Sequence, residues 1–241
     1  MTSLQDRVAI VTGGGTGIGK GVALSLARQQ VRVVVCGRRQ DRLEKTIDAI
    51  RQQGGEAIAI RADVSQADDV QRLVDATLDG YGCVDIVVNS AGVVDESAAL
   101  HELNFADWDR VMATNLRGVM LVMRTVLPIM RDQRSGHIIN ISSESGLEYY
   151  TGDAVYGTSK HALNALSEYA QRENQDYGIR VNTICPGMVV TEMTENSVGL
   201  NHDKCLYPED IADLVIWLLT RRQNIKIGTP ILIQTMLNPW E

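Results

Sequence analysis

The chain has 241 residues, of which 44% are hydrophobic and 22% charged, and its formal net charge at pH 7 is −7. This length suits one α/β domain with a sizeable core, and the composition is that of an ordinary globular protein. The negative charge argues against a nucleic acid or an anionic membrane as partner, since either would favour a basic surface.

The N-terminal residues and the cysteines indicate the compartment. The segment Met1–Asp6 lacks a basic region followed by an apolar core, and no apolar run approaches the roughly 18 residues that cross a bilayer. The four cysteines are scattered and form no CxxC pair; they are Cys36, Cys83, Cys185 and Cys205. We therefore expect a cytoplasmic protein with reduced cysteines, no signal peptide and no metal site.

Short β-branched runs alternate with longer amphipathic segments along the whole chain. The predicted strands are Val8–Val11, Val31–Cys36, Ala57–Ile60, Ile86–Val88, His137–Ile141, Arg180–Ile184 and Ile231–Ile233. The predicted helices are Gly17–Gln29, Arg39–Gln53, Gln66–Gly80, Phe105–Arg134, Asp153–Tyr177 and Pro208–Arg222. This alternation predicts an α/β fold with a doubly wound, Rossmann-type parallel sheet of about seven strands and helices on both faces.

The pattern is not interrupted by a linker, a charge block or an internal repeat. We therefore expect a single domain over residues 1–241. The polar, glycine-punctuated segment Met193–Leu206 fits neither the strand nor the helix pattern. It predicts a lid or substrate loop near residues 188–206.

A glycine-rich turn follows the first predicted strand and precedes a predicted helix. Its sequence is Gly13-Gly14-Gly15-Thr16-Gly17-Ile18-Gly19. Glycines in this setting let the backbone turn tightly and approach a pyrophosphate, which rests on the N-terminus of the helix. A purely structural turn is the alternative, but the position after the first strand favours dinucleotide binding.

Tyr156 and Lys160 are four positions apart, which places them on the same face of a predicted helix. A phenol is unreactive near neutral pH because its ordinary pKa is about 10. A neighbouring ammonium stabilises the phenolate, and we expect Lys160 to lower the pKa of Tyr156. The pair could also arise by chance, so its meaning depends on the rest of the chain.

These motifs and several others, in order along the chain, resemble those of the short-chain dehydrogenase/reductase family. The spacing Thr12-Gly13-x-x-x-Gly17-x-Gly19 and the pair Tyr156-x-x-x-Lys160 carry the resemblance, and further matches are Asp63-Val64, Asn115, Ser143 and Pro186-Gly187 followed by Thr191. The run Asn89-Ser90-Ala91-Gly92 departs from the family pattern at Ser90, where an asparagine is usual. The matches extend over nearly the whole chain.

The resemblance implies a function for each matching residue. The expected dinucleotide-binding residues are Gly13, Gly15, Thr16, Gly17, Ile18, Gly19, Arg38, Arg39, Asp63, Val64, Asn89, Ala91, Gly92, Tyr156, Lys160, Pro186, Gly187, Val189 and Thr191. The expected catalytic residues are Asn115, Ser143, Tyr156 and Lys160, and the substrate is expected to contact Ser143 and Tyr156. Ser142 is set aside because strand alternation points it away from Ser143. In the family that the chain resembles, the two long helices, here Phe105–Arg134 and Asp153–Tyr177, commonly pack against those of a second copy, so the resemblance implies a homodimer or homotetramer.

The end of the second predicted strand bears on which nicotinamide dinucleotide binds. An acidic side chain there would accept hydrogen bonds from a ribose 2′-hydroxyl, but the sequence reads Gly37-Arg38-Arg39. Arg38 can pair with a 2′-phosphate and Arg39 can assist, which predicts NADP(H). The alternative is that both arginines are a solvated start of a helix.

The expected function is that of an NADP(H)-dependent oxidoreductase that interconverts a carbonyl and a secondary alcohol of a small molecule. Tyr156 would act as general acid/base. The alternatives are an NAD-dependent alcohol dehydrogenase and a non-catalytic dinucleotide-binding sensor. Four residues after Ser143 either line the substrate pocket or form an exposed loop: Glu144, Glu148, Tyr149 and Tyr150.

Overall fold

The computed structural model describes residues 3–195 and 197–241 and contains one parallel sheet. Its strands are β1 (Val8–Thr12), β2 (Arg32–Gly37), β3 (Ala57–Arg61), β4 (Ile86–Asn89), β5 (Gly136–Ile141), β6 (Ile179–Pro186) and β7 (Ile231–Ile233). The seven strands lie in the order β3-β2-β1-β4-β5-β6-β7. All residues of β1, β4 and β5 are buried, as is typical of strands covered on both faces.

Helices cover both faces of this sheet. They are α1 (Gly17–Arg28), α2 (Gln40–Gln52), α3 (Ala67–Tyr81), α4 (Phe105–Met112), α5 (Val119–Gln133), α6 (Ala154–Asn174) and α7 (Pro208–Leu219). Because strand side chains alternate, Ala9 and Val11 pack against α1, α2 and α7, whereas Ile10 packs against α3, α5 and α6. The predicted doubly wound fold is confirmed. In the part of the chain that the structure describes, no helix is long and apolar enough to span a bilayer.

The strand order places a cleft beside the end of β1. From β1 the chain first builds outward through β2 and β3, and then returns to the other side of β1 with β4. The crossovers on the two sides of β1 therefore leave a crevice at the carboxyl ends of β1 and β4. Ligands of open α/β sheets bind at such a switch point.

The long helix predicted over Phe105–Arg134 is present, but its hydrogen-bond pattern changes in the middle. A π-helical turn at Ala113–Gly118 separates α4 from α5, and Arg134 ends α5 with a left-handed backbone at φ 54°. The amide of Asn115 in this turn binds the backbone of Val93, which holds the widened turn in place. Sequence periodicity did not show the turn because the helical apolar pattern continues on both sides of it.

The predicted substrate loop contains little regular structure. Its described residues include a short 3-10 turn at His202–Lys204, and Val189 pairs with Leu206 in an isolated parallel bridge. Asn196, which belongs to the predicted loop, lies outside the described residues. The bridge brings the two ends of the segment together beside the cleft.

The buried His137 makes stability depend on pH. Its Nε2 lies 2.8 Å from Oδ1 of Asn182, and burial, together with the charge of Arg180, lowers the pKa of His137 to about 3. In the unfolded chain a histidine has a pKa near 6.5, so between these values the unfolded state binds more protons. The free energy of unfolding should therefore fall as the pH drops from about 6.5 toward 3, by up to about 1.4 kcal/mol per pH unit.

Substitution His137→Gln should flatten this pH dependence, which urea denaturation at several pH values would measure. The exposed His202 provides the control, since His202→Gln should leave the slope unchanged. A slope that is the same in the wild type and in His137→Gln would contradict the prediction.

Candidate active site

A cleft of about 280 Å³ opens at the carboxyl ends of β1 and β4 and reaches the first turns of α6. It brings together most residues that the sequence analysis predicted: Gly13, Gly15, Thr16, Gly17, Ile18, Arg38, Arg39, Asp63, Val64, Ala91, Gly92, Tyr156, Lys160 and Thr191. The described lining does not include Gly19, Asn89, Asn115, Ser143, Pro186, Gly187 or Val189. The cleft therefore joins the glycine-rich turn to the Tyr156–Lys160 pair.

The glycine-rich turn needs glycine at specific positions. Gly13 has φ +66°, and a Cβ on it would lie 2.9 Å from the Cα of Ala91. A Cβ on Gly19 would collide with the carbonyl oxygen of Gly13. Because both side chains are only hydrogen, the backbone of the turn lies open to the cleft at the start of α1.

The start of α1 is suited to an anion. Its first turn, Gly17-Ile18-Gly19-Lys20, carries no carboxylate. The first N–H groups of an α-helix have no partner within the helix, and they carry the positive end of its dipole. A pyrophosphate would find backbone donors and the positive end of the helix dipole here. The residues present thus fit the phosphates of a dinucleotide.

The turn after β4 is held by a hydroxyl from β1. Oγ1 of Thr12 accepts hydrogen bonds of 3.1 Å from the backbone N–H groups of both Ser90 and Ala91. The side chain of Asn89 points into the protein instead, and its Nδ2 donates to Oδ1 of Asn140 at 2.8 Å. The departure at Ser90 leaves this support intact, because Thr12 bonds to the backbone there.

Asn140 extends this buried polar chain to α6. Its Nδ2 donates to the hydroxyl of Ser167 at 2.8 Å, and Ser167 in turn donates to the carbonyl of Leu163. Asn89 and Asn140 are also paired residues of neighbouring strands. Polar side chains therefore connect β4, β5 and α6 through the centre of the protein.

Tyr156 and Lys160 lie on successive turns of α6, facing the cleft. Nζ of Lys160 donates to the carbonyl of Ile141 at 3.0 Å and lies 5.3 Å from the centroid of the Tyr156 ring. Burial lowers the pKa of Lys160 to about 8. Burial also raises the pKa of Tyr156 to about 12, and a hydrogen bond from Ser143 opposes that rise.

The expected lowering of the Tyr156 pKa by Lys160 is therefore wrong for this structure. Burial of the phenol raises the Tyr156 pKa, and the charges of Asp153, Cys185 and Glu144 raise it further. The phenol is accordingly protonated at neutral pH. In that state it is a proton donor.

Ser143 and Ser142 have different partners, but Ser142, which strand alternation was expected to turn away, is the one that lines the cleft. The hydroxyl of Ser143 lies beside Tyr156 and accepts a hydrogen bond of 3.1 Å from the backbone of Ser145. The hydroxyl of Ser142 donates to the backbone carbonyl of Lys160 at 3.3 Å. Ser142 thus supports the helix, whereas Ser143 shares a hydrogen bond with the phenol.

Asn115 holds the wall of the cleft beside Lys160. Its Oδ1 accepts from the backbone N–H of Val93 at 2.9 Å, and its Nδ2 donates to the Val93 carbonyl at 2.8 Å and to Ser159 at 3.2 Å. A Cβ on Gly92 would lie 3.9 Å from Nζ of Lys160. The Asn115 side chain is therefore hydrogen-bonded to protein groups that flank the cleft.

The segment after β6 crosses the start of α1. A Cβ on Gly17 would lie 3.2 Å from Cγ2 of Thr191, so these two segments of the backbone are in close contact. Gly187 lies behind this contact, where its N–H donates to the carbonyl of Ile233 at 2.8 Å. Of the predicted residues in this segment, Thr191 reaches the cleft, while Pro186 belongs to β6 and Val189 to the bridge with Leu206.

An ion-pair cluster that the sequence did not predict lines the cleft. Nη2 of Arg39 donates to Oε2 of Glu192 at 2.8 Å, and Nη1 of Arg42 lies 3.2 Å from Oε1 of the same carboxylate. All three residues line the cleft. Arg42 could have been found from its position one helical turn after Arg38, but no motif marks Glu192.

The four residues after Ser143 lie outside the described lining of the cleft and differ in their exposure. Glu144 is half-buried, a Cβ on Gly187 would lie 3.1 Å from its Oε2, and burial together with Glu148 raises its pKa. Tyr149 is 87% exposed and Tyr150 is 49% exposed. Glu144 thus lies near Tyr156, whereas the two tyrosines belong to the surface.

Comparison with known proteins agrees with this geometry. The family model of short chain dehydrogenases matches residues 7–199. The chain is 35% identical over 228 residues to an uncharacterized oxidoreductase of Staphylococcus epidermidis, covering 95% of this chain and 97% of that protein. The chain belongs to the short-chain dehydrogenase/reductase family. It is thus an oxidoreductase of a family that uses nicotinamide dinucleotides, and its substrate is a small molecule.

Solved structures share the fold over almost the full chain. A short-chain type dehydrogenase/reductase from Mycobacterium marinum gives a TM-score of 0.89 at 32% identity, with 96% of this chain and 95% of that one covered. A metagenomic short-chain oxidoreductase in complex with NADP gives a TM-score of 0.85 at 33% identity, with 98% and 100% covered. The Rossmann-type sheet is therefore that of the family.

Proposed function

We propose that this protein is an NADP(H)-dependent oxidoreductase that interconverts a carbonyl and a secondary alcohol, with Tyr156 as general acid/base. One observation carries the proposal. The same cleft is lined by the glycine-rich turn, by Arg38 and by the Tyr156–Lys160 pair. A dinucleotide site and an acid/base phenol thus share one space, which suits hydride and proton transfer to one substrate.

Different parts of the cleft would hold different parts of NADP(H). The backbone from Gly13 to Gly17 and the start of α1 would bind the pyrophosphate. Arg38 would pair with the 2′-phosphate, and Asp63 would lie at the adenine end. Lys160 would bond the ribose beside the nicotinamide, and the bound dinucleotide supplies the hydride.

Protein groups would supply the proton and stabilise charge on the substrate oxygen. The protonated phenol of Tyr156 would donate its proton to the carbonyl oxygen during reduction, and the phenolate oxygen would accept it back during oxidation. The Ser143 hydroxyl would donate a hydrogen bond to the same oxygen and stabilise the developing alkoxide. Asn115 would hold the backbone of Gly92 and Val93 in position beside Lys160.

The alternative functions explain fewer of these residues. A dinucleotide sensor has no need of an acid/base phenol with a serine beside it. An NAD-dependent enzyme is disfavoured by Gly37 and Arg38, since no carboxylate ends β2 to accept the 2′-hydroxyl. The solved relative in complex with NADP supports the same choice.

A panel of ketones and aldehydes assayed by nicotinamide absorbance would test the proposal. We expect turnover with NADPH, and we expect Arg38→Ala to weaken NADPH binding by about 10- to 100-fold because a charge-assisted bond to phosphate is lost. NADH binding should change little. The control is Arg51→Ala, which removes an exposed arginine at the far end of α2.

Two outcomes would count against the proposal. Failure of every carbonyl with both cofactors would remove the reductase function. Equal weakening of NADPH and NADH binding by Arg38→Ala would contradict the proposed contact between Arg38 and the 2′-phosphate. The NAD-dependent alternative would then remain.

A further inference from the structure

The ion pairs that join Glu192 to Arg39 and Arg42, called here the Glu192 bridge, connect opposite walls of the cleft. The two arginines belong to the start of α2, whereas Glu192 follows β6, 153 residues after Arg39 in sequence. The Arg39 side chain also lies against the glycine-rich turn, because its Nη2 approaches Oγ1 of Thr16 at 3.4 Å. One carboxylate thus ties the segment after β6 to the dinucleotide-binding wall.

The carboxylate of Glu192 is held as an anion. The hydrogen bond from Arg39 and the charges of Arg39 and Arg42 keep the pKa of Glu192 below its usual range. The side chains remain partly solvent-exposed, at 36% for Glu192, 40% for Arg42 and 55% for Arg39. Other anions can therefore reach the same guanidinium groups from solvent.

A carboxylate and a phosphate require the same partners. Both accept charge-assisted, often bidentate hydrogen bonds from a guanidinium, so they compete for Arg39 and Arg42. The proposed 2′-phosphate site is at Arg38, next to Arg39 in the chain and in the same cleft. A 2′-phosphate at this site must either displace Glu192 from Arg39 or bind beside its negative charge.

We propose that Glu192 is a specificity-determining residue that competes with the cofactor 2′-phosphate for Arg39 and Arg42, and so limits the preference for NADP(H) over NAD(H). This inference rests on the proposed dinucleotide site. NAD(H) carries a hydroxyl at this position and leaves the Glu192 bridge intact. Glu192 therefore weakens the binding of NADP(H) and leaves that of NAD(H) unaffected.

The test is substitution Glu192→Gln, which removes the charge and keeps the shape. NADPH and NADH are titrated separately against the whole chain by nicotinamide fluorescence. Because exposed ion pairs are weak, we expect NADPH to bind about three- to tenfold more tightly in the variant, and NADH to change less than twofold. The gain in NADPH affinity should be smaller at about 0.5 M salt than at about 0.05 M salt, because salt screens exposed charges.

Glu195 supplies a matched control. It is an exposed glutamate three residues further along the same segment, and it does not belong to the described lining of the cleft. Glu195→Gln makes the same change in net charge and should leave both affinities unchanged. An equal gain in Glu195→Gln would assign the effect to net charge and overturn the competition.

The remaining outcomes separate this inference from the proposed function. Unchanged NADPH binding in Glu192→Gln would overturn this inference but not the proposed function. Equal weakening of NADPH and NADH binding would also overturn it, because the Glu192 bridge would then only stabilise the segment after β6. A wild type that prefers NADH contradicts the cofactor assignment, whereas a selective NADPH gain in the variant still supports competition at Glu192. Absence of dinucleotide binding in the wild type defeats both.

Discussion

Replacing Tyr156 with phenylalanine should lower kcat by about 10³-fold, since positioned general acid/base catalysis contributes about 10²- to 10⁴-fold. The substitution removes the hydroxyl that Ser143 bonds and keeps the ring, which lies beside the ammonium of Lys160. NADPH binding should therefore stay within about twofold of the wild type, because removing one hydroxyl leaves the ring in place. Steady-state kinetics and a fluorescence titration would measure the two quantities.

Tyr169 provides the control for this substitution. It lies on α6 as well, but its side chain is 66% exposed. Tyr169→Phe should retain full activity. Activity of Tyr156→Phe above about one tenth of the wild type would contradict the catalytic assignment, because even the smallest usual contribution of such a group is about 10²-fold.

Substitution Gly13→Ala should damage both stability and dinucleotide binding. Gly13 has φ +66°, and the added methyl group would lie 2.9 Å from the backbone of Ala91. The positive φ costs about 1–2 kcal/mol for a residue with a Cβ, and the clash adds about 1–3 kcal/mol. We expect the strained turn to weaken NADPH binding by at least about tenfold, since its backbone would no longer meet the pyrophosphate.

Gly54 separates the two contributions. It also has a positive φ, of +76°, but a Cβ on it would meet no atom of the described residues within 4 Å. Gly54→Ala should therefore show only the cost of the positive φ in chemical denaturation and should bind NADPH normally. Equal destabilisation by the two substitutions would show that the approach of Gly13 to Ala91 contributes nothing.

The sequence predicted those features that depend on local pattern. The strands and most helix ends lie within three residues of their predicted positions, because β-branched runs and amphipathic periods mark them directly. The glycine-rich turn was also predictable, since Gly13 and Gly17 both need the positive φ that glycine adopts freely. The cleft then follows from where these elements end.

Features that depend on tertiary contacts were not predictable. The π-helical turn at Ala113–Gly118 accompanies the bonds between Asn115 and Val93, which lie 22 residues apart. The high pKa of Tyr156 results from burial, and proximity to Lys160 in sequence indicated the opposite direction. Glu192 meets Arg39 across 153 residues, and nothing near either position announces the contact.

The buried chain from Asn89 through Asn140 to Ser167 has a consequence for how the protein chooses its fold. In β4 and β5, which are buried on both faces, a slip of one residue would still bury apolar side chains, so the apolar pattern alone specifies the register weakly. An amide in the interior has no such freedom, since a slip would leave Asn140 without partners in a medium that penalises unpaired polar groups. The side chains of Asn89, Asn140 and Ser167 therefore specify the positions of β4, β5 and α6 relative to one another. Because β4 also pairs with β1, the same contacts set the position of Tyr156 on α6 relative to the glycine-rich turn.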